Sequence, residues 1–199
     1  FSYGTGNFIT VLKTPYGATT FETGSSIVSE GSTNRWITAT DPLGQKERVE
    51  FRHKAPNISI SDTNTPTVSG FTFLNDYLWY RNTFFWDKKA MRENPNIEAA
   101  DFYNKATIYH WLHSEANQDV SIPVMESQKK PLESRIWYRY AGQTRTPNPS
   151  TWGGTNSSPI VVARLLDDGT TQVSQFEYNN AGRVTKYTDP LSRTTEFTY

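Results

Sequence analysis

The chain has 199 residues, and its 20 Lys plus Arg balance its 20 Asp plus Glu, so the formal net charge is zero. This balance gives no electrostatic reason to expect a nucleic-acid partner. The sequence contains no cysteine, which excludes disulfides and thiolate metal sites. No apolar run approaches the ~20 residues of a membrane-spanning helix. Aromatic residues make up 14% of the chain and favour strands, which predicts an all-β fold.

The first quarter of the chain predicts two β-hairpins. Residues 6–23 read as strand, turn and strand, with Pro15 in the turn, and the Ser/Gly-rich residues 24–34 are predicted to be a connector. Residues 35–52 predict a second hairpin that turns at Thr40-Asp41-Pro42-Leu43. Pro42 presets φ for the turn, and the Asp41 side chain is able to bond the nearby backbone. Phe51 lies two residues after Val49, so both side chains share one strand face.

The middle of the chain breaks this regular pattern. Residues 53–68 predict a loop or an edge segment, and 69–142 form an aromatic-rich stretch between repeat-like hairpins. Within it, Asp87 is predicted to cap one helical turn and Asn96 a second. Strands are predicted at 105–113 and 135–140. The Pro/Asn/Gly/Ser run at 143–158 predicts a long loop.

Residues 160–199 predict further hairpins. Asp167-Asp168-Gly169 separates two strand patterns, and Asp-Gly favours a primed turn. The aromatic pair Phe176 and Tyr178 returns 21 residues later as Phe197 and Tyr199, which is an internal repeat. Stacked units of this kind would place a buried apolar stripe on one sheet face. Between the pairs lie two predicted turns, one containing Gly182 and one Asp189-Pro190.

The final unit contains a specific run of motif positions: Tyr178-Asn179, Gly182-Arg183-Val184-Thr185, Thr188-Asp189-Pro190-Leu191 and Thr194-Thr195. This run resembles one YD repeat of the kind found in bacterial RHS-repeat proteins, Tc-toxin shell subunits and teneurins. Its departures are mild: Asn179 replaces the usual Asp, and Ser192 replaces a usual Gly. Through LNDYLWYRNTFFWDKKAM, YHWLH and PLESRIWYRYAGQ, the segment 75–142 also resembles the linker between such repeats in bacterial RHS proteins.

The resemblance implies a curved antiparallel sheet of repeated hairpins, one segment of a hollow shell that encloses a C-terminal toxin polypeptide for delivery. On this interpretation residues 1–199 form a single non-catalytic segment without a cofactor, in a secreted or cell-surface bacterial protein. Its partners would be further repeats, in the same chain or in other subunits, and the enclosed toxin. Because both ends of the sequence read as strand, we expect it to be a piece of a longer protein.

The candidate catalytic groups favour a non-enzymatic interpretation. His110 and His113, with Glu115 nearby, are the one histidine cluster, but positions three apart on a strand point to opposite faces. We therefore expect hydrogen-bonded histidines and no metal site. Asp167 and Asp168 are predicted to form a turn and not an acid/base pair.

An alternative function is adhesion to a cell surface or to glycans. Trp152 lies before two glycines in a polar loop, where an exposed ring would stack on a sugar or dock to a protein. The competing interpretation, which we favour, folds this ring back onto the sheet.

Overall fold

A computed structural model describes residues 1–4, 8–29, 32–58, 65–73, 77–145 and 150–199. The described chain is all-β, with 15 strands, one short α-helix and one 3-10 helix. Of the strand pairings with a described register, all but one are antiparallel. The prediction of an all-β antiparallel sheet is confirmed. The residues pack into two compact units, 1–57 with 80–108, and 58–79 with 109–199.

In the first unit the strands follow one another in the sheet in chain order. The connector predicted at 24–34 is wrong, because the strand that begins at Gly17 continues to Ser29 and pairs with the strand Ser32–Thr40 through most of that stretch. Gly24 lies opposite Trp36, whose indole covers it, so the partner strand holds a weak strand former in the sheet. The strands are β1 Ser2–Tyr3, β2 Ile9–Thr14, β3 Gly17–Ser29, β4 Ser32–Thr40, β5 Lys46–Lys54 and β6 Tyr80–Trp86.

A short helical segment follows β6. Helix α1 spans Lys88–Glu93, and the Asp87 side chain accepts a hydrogen bond from the Ala90 backbone at 2.7 Å, which confirms the predicted cap. Asn96 opens only a turn, and the next helical residues are the 3-10 helix Phe102–Lys105. Among the described residues, no helix has the length and apolar character needed to cross a membrane.

The core of the first unit is aromatic. Phe84 and Trp86 are fully buried on one face of β6, because alternate strand residues share a face. Phe102 stacks on Trp86 with ring centroids 4.4 Å apart, and Tyr103 meets Phe84 edge-on at 5.0 Å. The Trp86 indole donates to the Phe102 carbonyl at 3.0 Å. The 3-10 helix therefore covers this sheet face.

The second unit carries most of the remaining strands. The loop predicted at 143–158 is wrong in part, since it contains the strands Gln143–Arg145 and Ser150–Trp152, and the second of these pairs in parallel with the strand Thr107–Ser114. No sequence pattern predicted the strand Ser121–Lys129. The strands are β7 Thr107–Ser114, β8 Ser121–Lys129, β9 Ile136–Arg139, β10 Gln143–Arg145, β11 Ser150–Trp152, β12 Val161–Leu165, β13 Thr171–Tyr178, β14 Val184–Thr188 and β15 Thr194–Glu196.

The second unit has two apolar clusters. Trp137, Leu78 and Val161 are buried in the first, with Phe73 edge-on to Trp137 at 6.2 Å. The second contains Leu112, Val124 and Tyr140. No residue of either cluster lies on β14 or β15, so the final hairpin contributes no buried residue to them.

Candidate functional site

One turn geometry occurs three times in the described part of the chain. It begins at Asp41, Asn179 and Asp189, and in each case the side-chain Oδ1 accepts hydrogen bonds from the backbone N–H groups two and four residues later, at 2.9–3.0 Å. The fourth residue of each turn has positive φ, at 77° for Gly44, 75° for Gly182 and 63° for Ser192. This is a type I turn followed by a G1 bulge, and it closes a three-residue hairpin loop.

The β12–β13 hairpin has the same backbone turn without the side-chain acceptor. Leu166 donates to the Thr170 carbonyl at 2.8 Å, and Gly169 donates to the Leu166 carbonyl at 3.0 Å. The primed turn predicted at Asp167-Asp168-Gly169 is wrong, because of these residues only Gly169 has positive φ. Asp168 instead accepts from the Thr170 backbone and hydroxyl, which lowers the pKa of its carboxyl group. Asp167 lies in the same turn.

The β4–β5 and β14–β15 hairpins also share a strand register and a contact between an arginine and an aromatic ring. Thr40 lies opposite Lys46, as Thr188 lies opposite Thr194. At matching positions further along, a guanidinium lies over an aromatic ring: Arg35 over Phe51 at 5.3 Å, and Arg183 over Tyr199 at 5.2 Å. A cation over a ring face is attracted by the ring's quadrupole. The two hairpins therefore share their turn geometry, their strand register and the arginine–aromatic contact.

The two Asp–Pro turns are further fixed by charge. Lys88 Nζ lies 2.6 Å from Asp41 Oδ2, and this bond is the main cause of the lowered pKa of Asp41. Arg193 Nη2 lies 2.6 Å from Asp189 Oδ2 and likewise lowers the pKa of Asp189. Both aspartates are ionised at neutral pH and serve the turn, as the sequence predicted. Pro42 and Pro190 each hold the first central position.

The repeated aromatic pairs differ in burial. Phe176 is half-buried and contacts Tyr178 at 6.4 Å and Tyr187 at 5.2 Å between ring centroids. The Tyr178 hydroxyl donates to the Pro159 carbonyl at 2.9 Å. Phe197 is 42% exposed and Tyr199 68% exposed, so the described residues leave the second pair less buried than the first.

A network of charged side chains on β5 surrounds Glu50 in the first unit. Glu50 is buried, and its Oε2 accepts from Arg48 Nε at 3.2 Å and from Arg48 Nη2 at 3.0 Å. Its Oε1 accepts from Arg52 Nη1 at 3.1 Å and from the Tyr103 hydroxyl at 2.8 Å. Four donors thus satisfy one buried carboxylate, the condition under which a buried charge is tolerated.

Neighbouring residues position the Arg48 side chain, and burial affects the protonation of Tyr103. Arg48 Nη1 donates to the Thr38 hydroxyl at 3.1 Å, and its guanidinium lies 4.3 Å above the Trp36 ring. Burial, followed by the bond to Glu50, raises the pKa of Tyr103 to about 12. Tyr103 therefore stays protonated at neutral pH and acts as a donor, not as a base.

A cleft of about 480 Å³ opens beside the network. The sequence analysis missed it, although Arg48, Glu50 and Arg52 alternate along one strand and so share a face. That period-two charge pattern was the available signal. Its lining includes Ser25, Asn34, Trp36, Arg52, Glu98 and Tyr103.

The histidine cluster consists of buried, hydrogen-bonded rings. His110 Nε2 lies 3.3 Å from Glu126 Oε2, and His113 Nδ1 lies 2.6 Å from the Gln118 carbonyl oxygen. Both rings are more deeply buried than expected. Glu115 accepts from the Thr144 hydroxyl at 3.4 Å. Within the described ranges, no group of three His, Asp or Glu side chains is arranged to hold a metal ion.

The Trp152 ring folds back onto the second unit. It is half-buried, lies 6.5 Å from the Tyr140 ring, and packs against the cluster that contains Leu112. Its indole N–H donates to the Ala141 carbonyl at 3.2 Å. This is the packed position that the sequence analysis favoured over an exposed binding ring.

No family model matches this chain, and no curated protein matches it. The similarity to YD repeats therefore rests on the motif residues of this sequence.

Proposed function

We propose that this chain is a structural, non-catalytic segment of an RHS-repeat shell that encloses a C-terminal toxin polypeptide and helps to deliver it. The observation that supports this proposal most directly is the recurrence of one hairpin unit at β4–β5 and β14–β15. The two copies share their Asp–Pro turn, register and Arg–aromatic contact. Repetition of a unit is typical of proteins that extend by stacking neighbours.

The repeated polar residues bond the backbone of their own turns, which supports a structural role for them. Asp41, Asn179 and Asp189 each satisfy two backbone N–H groups of their own turn. The aromatic residues of the units cover sheet surface. A unit built in this way contributes stiffness and a surface, which is what a shell wall requires.

Further repeats would pair with the exposed edge of β15. In the described part of the chain β15 pairs only with β14. Unpaired backbone groups along a strand edge favour the addition of another strand. The partners we propose are thus further YD units, of the same chain or of other subunits, and the enclosed polypeptide.

The curvature of the proposed wall would come from the turns. G1 bulges increase local strand twist and bend the bulged strand. Each copy of the unit carries one beside its turn, so a long series of units would bend repeatedly in the same sense.

The test is electron cryomicroscopy of the protein isolated at its natural length. The proposal predicts a hollow particle whose wall is a continuous β-sheet, with hairpins related to β14–β15 and extra density inside. A particle without an interior volume, or one in which no strand continues the sheet beyond β15, would contradict it.

The adhesion alternative used Trp152 and exposed aromatic ridges of the sheet. The Trp152 ring is half-buried and hydrogen-bonded, so it gives this alternative no support.

A further inference from the structure

Several hydrogen-bond donors that line the cleft beside Glu50 have no acceptor among the described residues. Each of the three guanidinium nitrogens of Arg48 already donates a hydrogen bond, and Glu50 already accepts four. Of the Arg52 guanidinium, only Nη1 has a hydrogen-bond partner among the described residues. Because the Arg52 side chain is 30% exposed, part of this group remains available to a ligand.

Two neutral donors line the same cleft. Within the described ranges, the Trp36 indole N–H has no hydrogen-bond acceptor, and Asn34 uses only its side-chain oxygen, which accepts from the His53 backbone at 2.9 Å. The Asn34 NH₂ group therefore keeps its donors. These groups lie beside Arg52 in the lining, with the Ser25 hydroxyl at the same cleft.

The charge of the cleft favours an anion. Glu50 offsets one of the two arginines, Arg48 and Arg52, which leaves one positive charge in the network. Glu98 also lines the cleft, but it is exposed, so solvent and salt weaken its opposing field. A guanidinium with free N–H groups is well suited to a planar carboxylate.

The surroundings disfavour stacking of a ligand on the Trp36 ring. The Arg48 guanidinium lies 4.3 Å over this ring, and Gly24 lies against the same indole. The ring face towards Arg48 is thus occupied, and the indole N–H has no acceptor among the described residues. One uncompensated arginine also suits a singly charged carboxylate better than a phosphate that carries two charges.

We propose that this cleft binds the carboxylate group of a small ligand, with Arg52 as the charged contact and Trp36 and Asn34 as neutral donors. Its volume of about 480 Å³ lies within the range of small-molecule sites. The carboxylate belongs either to a free organic acid or to an acidic side chain of an extended peptide. This site is independent of the shell proposal, since it uses residues outside the repeated turns.

Heteronuclear NMR on the whole chain tests the proposal, with the Trp36 indole N–H signal assigned through Trp36→Phe. The probes are propionate, a blocked peptide with one central Glu, and inorganic phosphate. We expect the Trp36 signal to shift in a saturable way with propionate or with the peptide, and the tighter of the two identifies the source of the carboxylate. No shift with either, or tighter binding of phosphate, would overturn the proposal.

Variants locate the binding to Arg52. Arg52→Gln should weaken binding about tenfold, the loss expected for one charge-assisted hydrogen bond, and Arg52→Lys should weaken it less. Glu98→Gln should tighten binding because it removes the opposing charge. Arg35→Gln, on the opposite face of β4, is the matched control and should leave binding unchanged. Equal binding by Arg52→Gln, Arg52→Lys and the parent chain would contradict the proposed contact.

Discussion

The β4–β5 and β14–β15 hairpins have the same local design and opposite environments. Both turn at an Asp–Pro pair, both have the same register, and both place an arginine over an aromatic ring. On β5, however, Glu50 is 4% exposed, whereas its counterpart in the second hairpin, Thr198, is exposed. The segment that contains Tyr103 covers the first hairpin.

This difference shows which property belongs to the unit and which to its surroundings. The turn bonds lie within a few residues, so each copy folds its turn from its own sequence. Burial depends on a segment far along the chain, as in the bond from Tyr103 to Glu50. A repeat unit thus supplies a hairpin, and its neighbours decide whether a face becomes core.

The largest expected effect comes from removing the buried carboxylate. Glu50→Ala leaves Arg48 buried without its partner, and we expect it to lower the free energy of unfolding by about 3–5 kcal/mol. The matched variant, Thr198→Ala, occupies the same place in the exposed hairpin and should change it by less than ~0.5 kcal/mol. Denaturant unfolding measures both. Equal effects would show that the two environments do not differ as described.

The aromatic repeat gives a second matched pair. Phe176 and Phe197 occupy the same position in successive units, but Phe176 is half-buried against two tyrosine rings and Phe197 is 42% exposed. We expect Phe176→Ala to cost roughly 2 kcal/mol, in proportion to its partial burial, and Phe197→Ala less than half of that. If thermal and denaturant unfolding rank them in the reverse order, the proposed packing of β13 is wrong.

The fourth turn residue gives effects of opposite sign. Gly44 and Ser192 both adopt positive φ, which costs a residue with a side chain about 1–2 kcal/mol. Gly44→Ser should therefore destabilise the first hairpin by about 1 kcal/mol, and Ser192→Gly should stabilise the second by a smaller amount because glycine also raises unfolded-state entropy. Unfolding free energies of the two single variants check this. Changes of the same sign would contradict the shared geometry.

The smallest effect concerns acid stability. The lowered pKa values of Asp41 and Asp189 mean that these carboxylates contribute stability above their ordinary pKa of 3.8, and that this contribution is lost as the pH falls through their lower folded-state pKa values. The double variant Asp41→Asn, Asp189→Asn keeps a turn acceptor, as Asn179 does naturally.

Unfolding measured from neutral pH to below pH ~3 separates the two contributions. The double variant should be less stable than the parent at neutral pH, because it lacks the Lys88 and Arg193 ion pairs, and the difference should shrink in acid. A difference that grows as the pH falls would show that these carboxylates do not stabilise the folded state.

The sequence predicted features that depend on nearby residues. The Asp41 and Asp189 turns and the Asp87 cap each need only a few adjacent positions. The prediction failed where a partner far along the chain determines the local structure. The stretch 24–34 reads as a connector by its composition, yet β4 holds most of it in a strand, and Gly24 is covered by Trp36.

The cleft was missed for a related reason. The alternation of Arg48, Glu50 and Arg52 predicts a shared face, but it does not show that Tyr103 covers that face. Without the cover, three charges on a strand indicate a solvated surface. The burial of His110 and His113 likewise depends on β8 and the turn before it, which no local pattern predicted.

Hydrogen exchange at β15 tests the central claim, that the sheet extends by adding copies of one hairpin. The Phe197 amide donates inward to the Thr185 carbonyl, so the alternate amides of Thr194, Glu196 and Thr198 point to the open edge. We predict that these three exchange rapidly in the monomeric chain, and slowly when a second copy of residues 179–199, which includes the Asn179 turn, is appended after Tyr199. Slow exchange in the monomeric chain, or no protection after the addition, would contradict extension of the sheet at this edge.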